Sequence, residues 1–200
     1  MQNELQYTSS IKDMPLMFSE MKRTALLLCE GKTGCEIVGL SLEGNIYQLE
    51  KAKRRRDVPI RMVKRLSTLS MPLVEVIAHG QDAEAKLIAF LALVKADRLL
   101  FEYMHEIYED KNHAGHVEIT DHDFINFIER KAQSSETVAR WSAGNLAGIR
   151  SKIKSALCDA GLAKRDGNSL LIQRPIVDCE LRKLLDKADG MYLKAMLMEA

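Results

Sequence analysis

Apolar residues recur every three to four positions through most of this chain, the period of an amphipathic helix. A strand-like pattern is confined to residues 162–176. The first dozen residues read as a polar arm. Ser19 then suits the N-cap of a helix through EMKRTALLLCE that stops at Gly31, with Met21, Ala25, Leu28 and Cys29 on one face. Gly34 opens a shorter helix, closed by Gly44 and Asn45, so the two form an αα-hairpin. Asp57 is the expected N-cap of the next helix, with Pro59 in its first turn. That helix places Ile60, Val63 and Leu66 inward and Arg61, Lys64 and Arg65 outward, with KAKRRR leading into it.

Residues 72–79 predict a short helix ended by Gly80. The long apolar tract that follows should break near Ala96, with Asp97 capping its second half. Leu87, Phe90, Leu91 and Val94 are expected core, continued by Leu100, Tyr103, Met104 and Ile107. After the polar loop KNHAGH, Thr120 or Asp121 caps a helix that buries Phe124, Phe127 and Ile128.

The last third has a different texture. A short helix, a turn near Ser142 and a longer helix ending at Gly161 come first. Two short strands joined at Asp166-Gly167 follow. Helix, turn, helix and hairpin is the order of a winged helix, although an ordinary helix-plus-hairpin subdomain has the same signature. Trp141, at the helix joint, and Tyr47 both read as core anchors. Two amphipathic helices, ELRKLLDKA and MYLKAMLM, close the chain. The expected fold is mainly α: a helical bundle over residues 1–134, then a winged-helix-like segment with one short β-hairpin over 135–200.

Composition agrees: the chain is 46% apolar with four prolines, that of a folded and mostly helical protein. Four scattered cysteines without a CxxC pair fit reduced thiols. No signal sequence or membrane-length apolar run is visible, which predicts a cytoplasmic protein without a membrane partner.

Charge changes the picture more. The total is +1, yet residues 51–66 hold eight Lys/Arg against Asp57 alone, a local +7, and residues 140–175 hold seven against two acids, a local +5. Phosphate binding responds to the local field, so these segments point to nucleic acid despite the near-neutral total. A cationic run at a helix N-terminus also opposes the helix dipole and calls for a compensating partner. The candidate nucleic-acid contacts are Lys53, Arg54, Arg55, Arg56, Arg61, Lys64 and Arg65 in the first segment. In the second they are Asn145, Arg150, Lys152 and Lys154 on the late helix, with Lys164 and Arg165 on the hairpin. The plain alternative is a solvated helix face covered by acidic neighbours.

Catalytic chemistry has little support. GKTG at 31–34 lacks the rest of a phosphate loop, and no nucleophile–base pattern is present. His113, His116 and His122, near Asp121 and Asp123, are too loosely spaced to predict a metal site. Glu106, Glu109 and Asp110 are expected on an outer helix face. The sequence therefore predicts no enzyme activity and no cofactor.

Several stretches taken together resemble a known family. They are FSEMKRTALLLCEG (Phe18 to Gly31), Asn45, a basic helix ending in Arg65-Leu66, a Leu- and Phe-rich helical middle, Trp141-Ser142, and Ala160 to Leu162 after a basic helix. Over residues 14–200 the chain is similar to the small BrxA-type proteins of BREX phage-defence systems. The resemblance implies a NusB-like helical protein that binds double-stranded DNA and has no reaction of its own. No contact motif carries over residue by residue, so the contacts named above rest on charge and geometry. Two further functions stay open: an adaptor between phage-defence proteins, and RNA binding in the manner of NusB.

Overall fold

The computed structural model describes residues 5–185 and 189–198. The chain forms two compact units, one of residues 16–96 and one of the described residues before Leu16 and from Asp97 onward. Residues 134 and 135, where the sequence suggested a boundary, both lie within the second unit.

The first unit is five helices, α2 (Phe18–Cys29), α3 (Gly34–Gly44), α4 (Ala52–Leu66), α5 (Met71–His79) and α6 (Asp82–Ala96), preceded in the chain by α1 (Ser10–Asp13). α2 begins one residue before the expected cap, after Met17 in a left-handed conformation, and buries Met21, Thr24, Ala25 and Leu27, with Leu28 and Cys29 half-buried. Thr33 and Glu36 form a capping box at α3, whose end is marked by Asn45 at a φ of 46°. α6 is apolar on every side and buries each residue from Leu87 to Val94, as an all-round hydrophobic helix must. α2 packs on α5 and α4, and α3 packs on α4.

α4 departs from the sequence expectation. It starts at Ala52, so KAKRRR lies at and within its N-terminal half, Asp57 is not its cap, and Pro59 is interior. Proline at that position removes the amide that would have bonded the carbonyl of Arg55. The Ser41 hydroxyl of α3 donates to that carbonyl instead, at 2.6 Å. The burial stripe is Val58, Pro59, Met62, Arg65 and Leu66. Ile60, expected inward, is 50% exposed.

The second unit opens with α1 (Ser10–Asp13) and resumes at α7 (Arg98–Tyr103). Asp97 caps α7 by accepting from the Leu100 amide at 3.1 Å, the break expected from sequence. A π-helical turn, Met104–Glu109, leads to α8 (Asp110–His113), and β1 (Glu118–Ile119) follows. α9 (Asp121–Ser134) starts with a capping box of Thr120 and Asp123 and buries Phe124, Phe127 and Ile128. α10 (Glu136–Ala139) and α11 (Ala143–Asp159) are joined through Ser142, which caps α11. β2 (Ala163–Asp166) and β3 (Ser169–Ile172) form the expected hairpin, turning at Gly167 with a φ of 55°. β1 adds a third strand that the sequence did not suggest. The sheet is antiparallel in the order β1–β3–β2, with Ile119 opposite Leu170 and Lys164 opposite Leu171.

Tyr108 closes the open end of this hairpin. Its hydroxyl lies 2.8 Å from the Leu162 carbonyl and 2.7 Å from that of Gln173, and burial pushes its pKa well up. α12 (Cys179–Leu184) and α13 (Gly190–Ala195) come last. The expected ELRKLLDKA helix is seen to Leu184, and residues 186–188 lie outside the described residues.

Candidate nucleic-acid interface

The solvent side of α4 is set by its 3.6-residue period. Lys53, Arg56, Ile60 and Lys64 fall along one exposed strip, flanked by the half-buried Arg54 and Arg61. Lys53, Arg54, Arg61 and Lys64 have no carboxylate partner among the described residues. Arg56 pairs with its neighbour Asp57 at 3.1 Å. The first turn of α4 carries no acid, and Lys51 at its cap supplies no capping side chain. Positive charge is thus stacked on the positive end of the helix dipole, with Asp57 in the second turn the one acid that α4 sets against it.

Two candidates from this segment are structural instead. Arg65 is only 1% exposed, on the same stripe as Met62 and Leu66, with Nη1 3.5 Å from the Leu16 carbonyl. The outward position expected for it fails because Arg65 falls on the stripe that α4 turns to the core. Arg55 is half-buried and donates Nε to the Leu49 carbonyl at 2.8 Å, tying the helix to the loop before it.

The second segment divides in the same way. Lys152, Lys164 and Arg165 are exposed, and Asn145 is half-buried with its amide on the Ser142 cap. Arg165 donates to the Ser155 hydroxyl at 3.3 Å. Burial pushes the nearby Cys158 thiol up although Arg165 opposes the shift. Lys154, expected on the outer face, is 9% exposed and bonds both the Asp121 carboxylate and the Asn168 carbonyl. Arg150 also turns to Asp121, at 3.3 Å. Arg150 and Lys154 do share a helix face, but it is the face that meets the N-terminus of α9. Of the two residues that the sequence offers as the cap of α9, Thr120 caps, and Asp121 holds two cations. Ile149, Ile153 and Leu157 are buried as expected, and Leu146 is half-buried.

Of the carboxylates expected on an outer helix face, Asp110 is exposed and Glu106 half-exposed, whereas Glu109 is buried. Glu109 is 2% exposed, within 2.6 Å of His105 Nδ1, 3.4 Å of Lys194 Nζ and 3.9 Å of His113 Nδ1. A π-turn shifts the helical phase, so the regular period points the wrong side of Glu109 outward. Glu106 pairs with Arg130 and Lys131. Among the described residues, no helix is long and apolar enough to cross a membrane.

Comparison with known proteins adds identity to this geometry. The chain is 32% identical to a BREX protein BrxA from Bacillus cereus (strain H3081.97), over the whole of both chains. Its fold matches the crystal structure of an uncharacterized protein from Magnetospirillum magneticum with a TM-score of 0.80, covering 96% of this chain and 98% of that one at 18% identity. A family model described as BrxA matches residues 5–189. With nearly its whole length matched, this chain belongs to the BrxA family.

Proposed function

We propose that this component of a BREX phage-defence system binds double-stranded DNA through its phosphates and carries out no reaction of its own. The observation that carries the reading is the solvent face of α4, where four cations have no carboxylate partner among the described residues. Such a face gains most from a polyanion, which releases counterions as it binds. Contacts of this kind position a protein without reading sequence. The contacts proposed are Lys53, Arg54, Arg56, Arg61 and Lys64 on α4, and Lys152, Lys164 and Arg165 in the second unit.

The order β1, α9, α11, β2, β3, with β3 central in the sheet, supports a winged-helix reading of the second unit. In that geometry α11 approaches the groove and the hairpin reaches the neighbouring backbone.

A second reading has its own observation. Ile60, half-exposed among the cations of α4, and the exposed Leu40 and Leu42 of α3 suit an acidic protein partner with apolar contacts. Binding of labelled duplex DNA across a salt series separates the two. The DNA reading expects affinity to fall about ten- to a thousand-fold between low and moderate salt, for about three to six phosphate contacts. Competition with duplex RNA and single strands distinguishes B-form from A-form preference. Absence of DNA binding at low salt would overturn the reading in favour of the adaptor.

A further inference from the structure

The arm at the start of the chain is built into the second unit. Ile11 of α1 is fully buried, and α1 packs along α11. The contact is close at one place. A Cβ on Gly148 would stand 3.0 Å from each of Cγ, Cδ and Cε of Lys12. Three successive methylenes equally near one point mean that the stem of Lys12 runs across the glycine. Even a methyl group there would push the stem aside by a few tenths of an ångström.

The position of Gly148 on α11 gives this contact its meaning. Ile149, Ile153, Ala156 and Leu157 face the core, and Arg150 and Lys154 face Asp121. The remaining side carries Gly144, Gly148, Ser151 and Ser155, whose own side chains hold no charge, together with Lys152 and, at the C-terminal end of the helix, the exposed Asp159. Cations reach it from three elements. Lys12 comes from α1 over Gly148, Lys152 from the edge of α11, and Arg165 from the hairpin onto Ser155. Gly148 and Ser155 are two turns apart, about 10 Å along the axis at 1.5 Å per residue. Lys12 and Lys152 have no carboxylate partner among the described residues, and Arg165 bonds the neutral Ser155 hydroxyl and the Cys158 thiol rather than a carboxylate.

Resting on the DNA reading above, we propose that α1 forms part of the DNA surface and that Lys12 is a phosphate contact, held over α11 by Gly148. Between Gly144 and Ser155 the glycines and serines supply a low floor, the cations stand at its margins, and Asp159 lies one turn beyond it. A phosphate backbone can then lie close to α11 without a bulky side chain holding it off. The stem of Lys12 is already packed, so fixing its ammonium on a phosphate costs less side-chain entropy than for a free lysine.

The test uses the full chain and duplex DNA over a salt series. Lys12→Met keeps the methylene stem and removes the charge. It should lower the magnitude of the log–log salt slope by about 0.9 and weaken binding about 3- to 10-fold near 0.1 M salt. Gly148→Leu leaves every charge in place and removes the seat, and it should lose a similar amount while its thermal melt stays cooperative. Lys183→Met, which removes an exposed lysine paired with Glu180 at 2.6 Å on α12, should change neither quantity. Wild-type protein that fails to bind DNA would overturn both this inference and the reading beneath it. Normal wild-type binding with an unchanged Lys12→Met or Gly148→Leu slope would overturn this inference alone. An equal loss in Lys183→Met would overturn it too, since the effect would then be one of net charge.

Discussion

The Ser41 hydroxyl donates at 2.6 Å to the one carbonyl of α4, that of Arg55, which Pro59 strips of its helical partner. An interior proline costs a helix about 3 kcal/mol. A buried carbonyl left bare would add about 1–3 kcal/mol. Ser41→Ala should therefore destabilise the first unit by about 1–3 kcal/mol in a denaturant melt. Pro59→Ala restores the amide at residue 59, so Ser41→Ala made in that background should cost distinctly less. The non-additivity of the double-mutant cycle is the measurement, and strict additivity would contradict the assignment.

Arg65 and Lys64 are neighbours in sequence with opposite roles. Lys64→Glu should leave the melting temperature within a degree or two and weaken DNA binding. Arg65→Glu should unfold the first unit, because it puts a carboxylate where a guanidinium is packed at 1% exposure. Circular dichroism melts beside binding curves separate the two effects.

Lys152 and Lys154 divide similarly. Lys152→Glu should reduce DNA affinity with stability intact. Lys154→Glu sets a carboxylate against Asp121 and the Asn168 carbonyl, so stability of the second unit should fall by several kcal/mol, the penalty of a buried uncompensated charge. A melt of Lys154→Glu that matches wild type would show that this lysine is not the tie described.

The arm should be sensitive to pH at both extremes. Burial alone would raise the Glu102 carboxyl, but hydrogen bonds from Lys131, Arg98 and Tyr7 outweigh it and hold the group below the usual carboxylate range. A lowered folded pKa stabilises above the unfolded value, so this contribution should fade as pH drops through and below about 4. Burial first, and then Glu102, push Tyr7 up to about 12. A raised folded pKa stabilises below the unfolded value, and that contribution should be lost as pH rises from about 10 towards 12. Tyr7→Phe should flatten the alkaline limb of a stability–pH curve and leave the acid limb in place, since Arg98 and Lys131 still hold Glu102.

The elements of this fold were largely legible because their signals are local. The Asp97 break, the start of α9 at Thr120 or Asp121, the turn near Ser142 and the hairpin glycine each declare themselves within a few residues. The α4 start was misread because Asp57 and Pro59 together imitate an N-terminus. What cancels that signal is Ser41, sixteen residues earlier than Asp57, and no local pattern reveals it. Charge density located the candidate surfaces. It did not say which cations face solvent, because Arg65 and Lys154 are claimed by Leu16, Asp121 and Asn168, all distant in sequence. β1 was missed because two residues carry no periodicity, and their pairing depends on β3, some fifty residues later.

The path of the chain through its two units has a consequence in time. α1 is made before residues 16–96, yet the helix it packs on, α11, begins at Ala143. At a synthesis rate of about 5–20 residues per second, roughly 7–26 s separate the emergence of α1 from that of its partner. During that interval the five-helix unit is completed while Ile11 and Lys12 wait unpaired. The second unit, and with it any surface that α1 shares with α11, is assembled only after α11 has emerged.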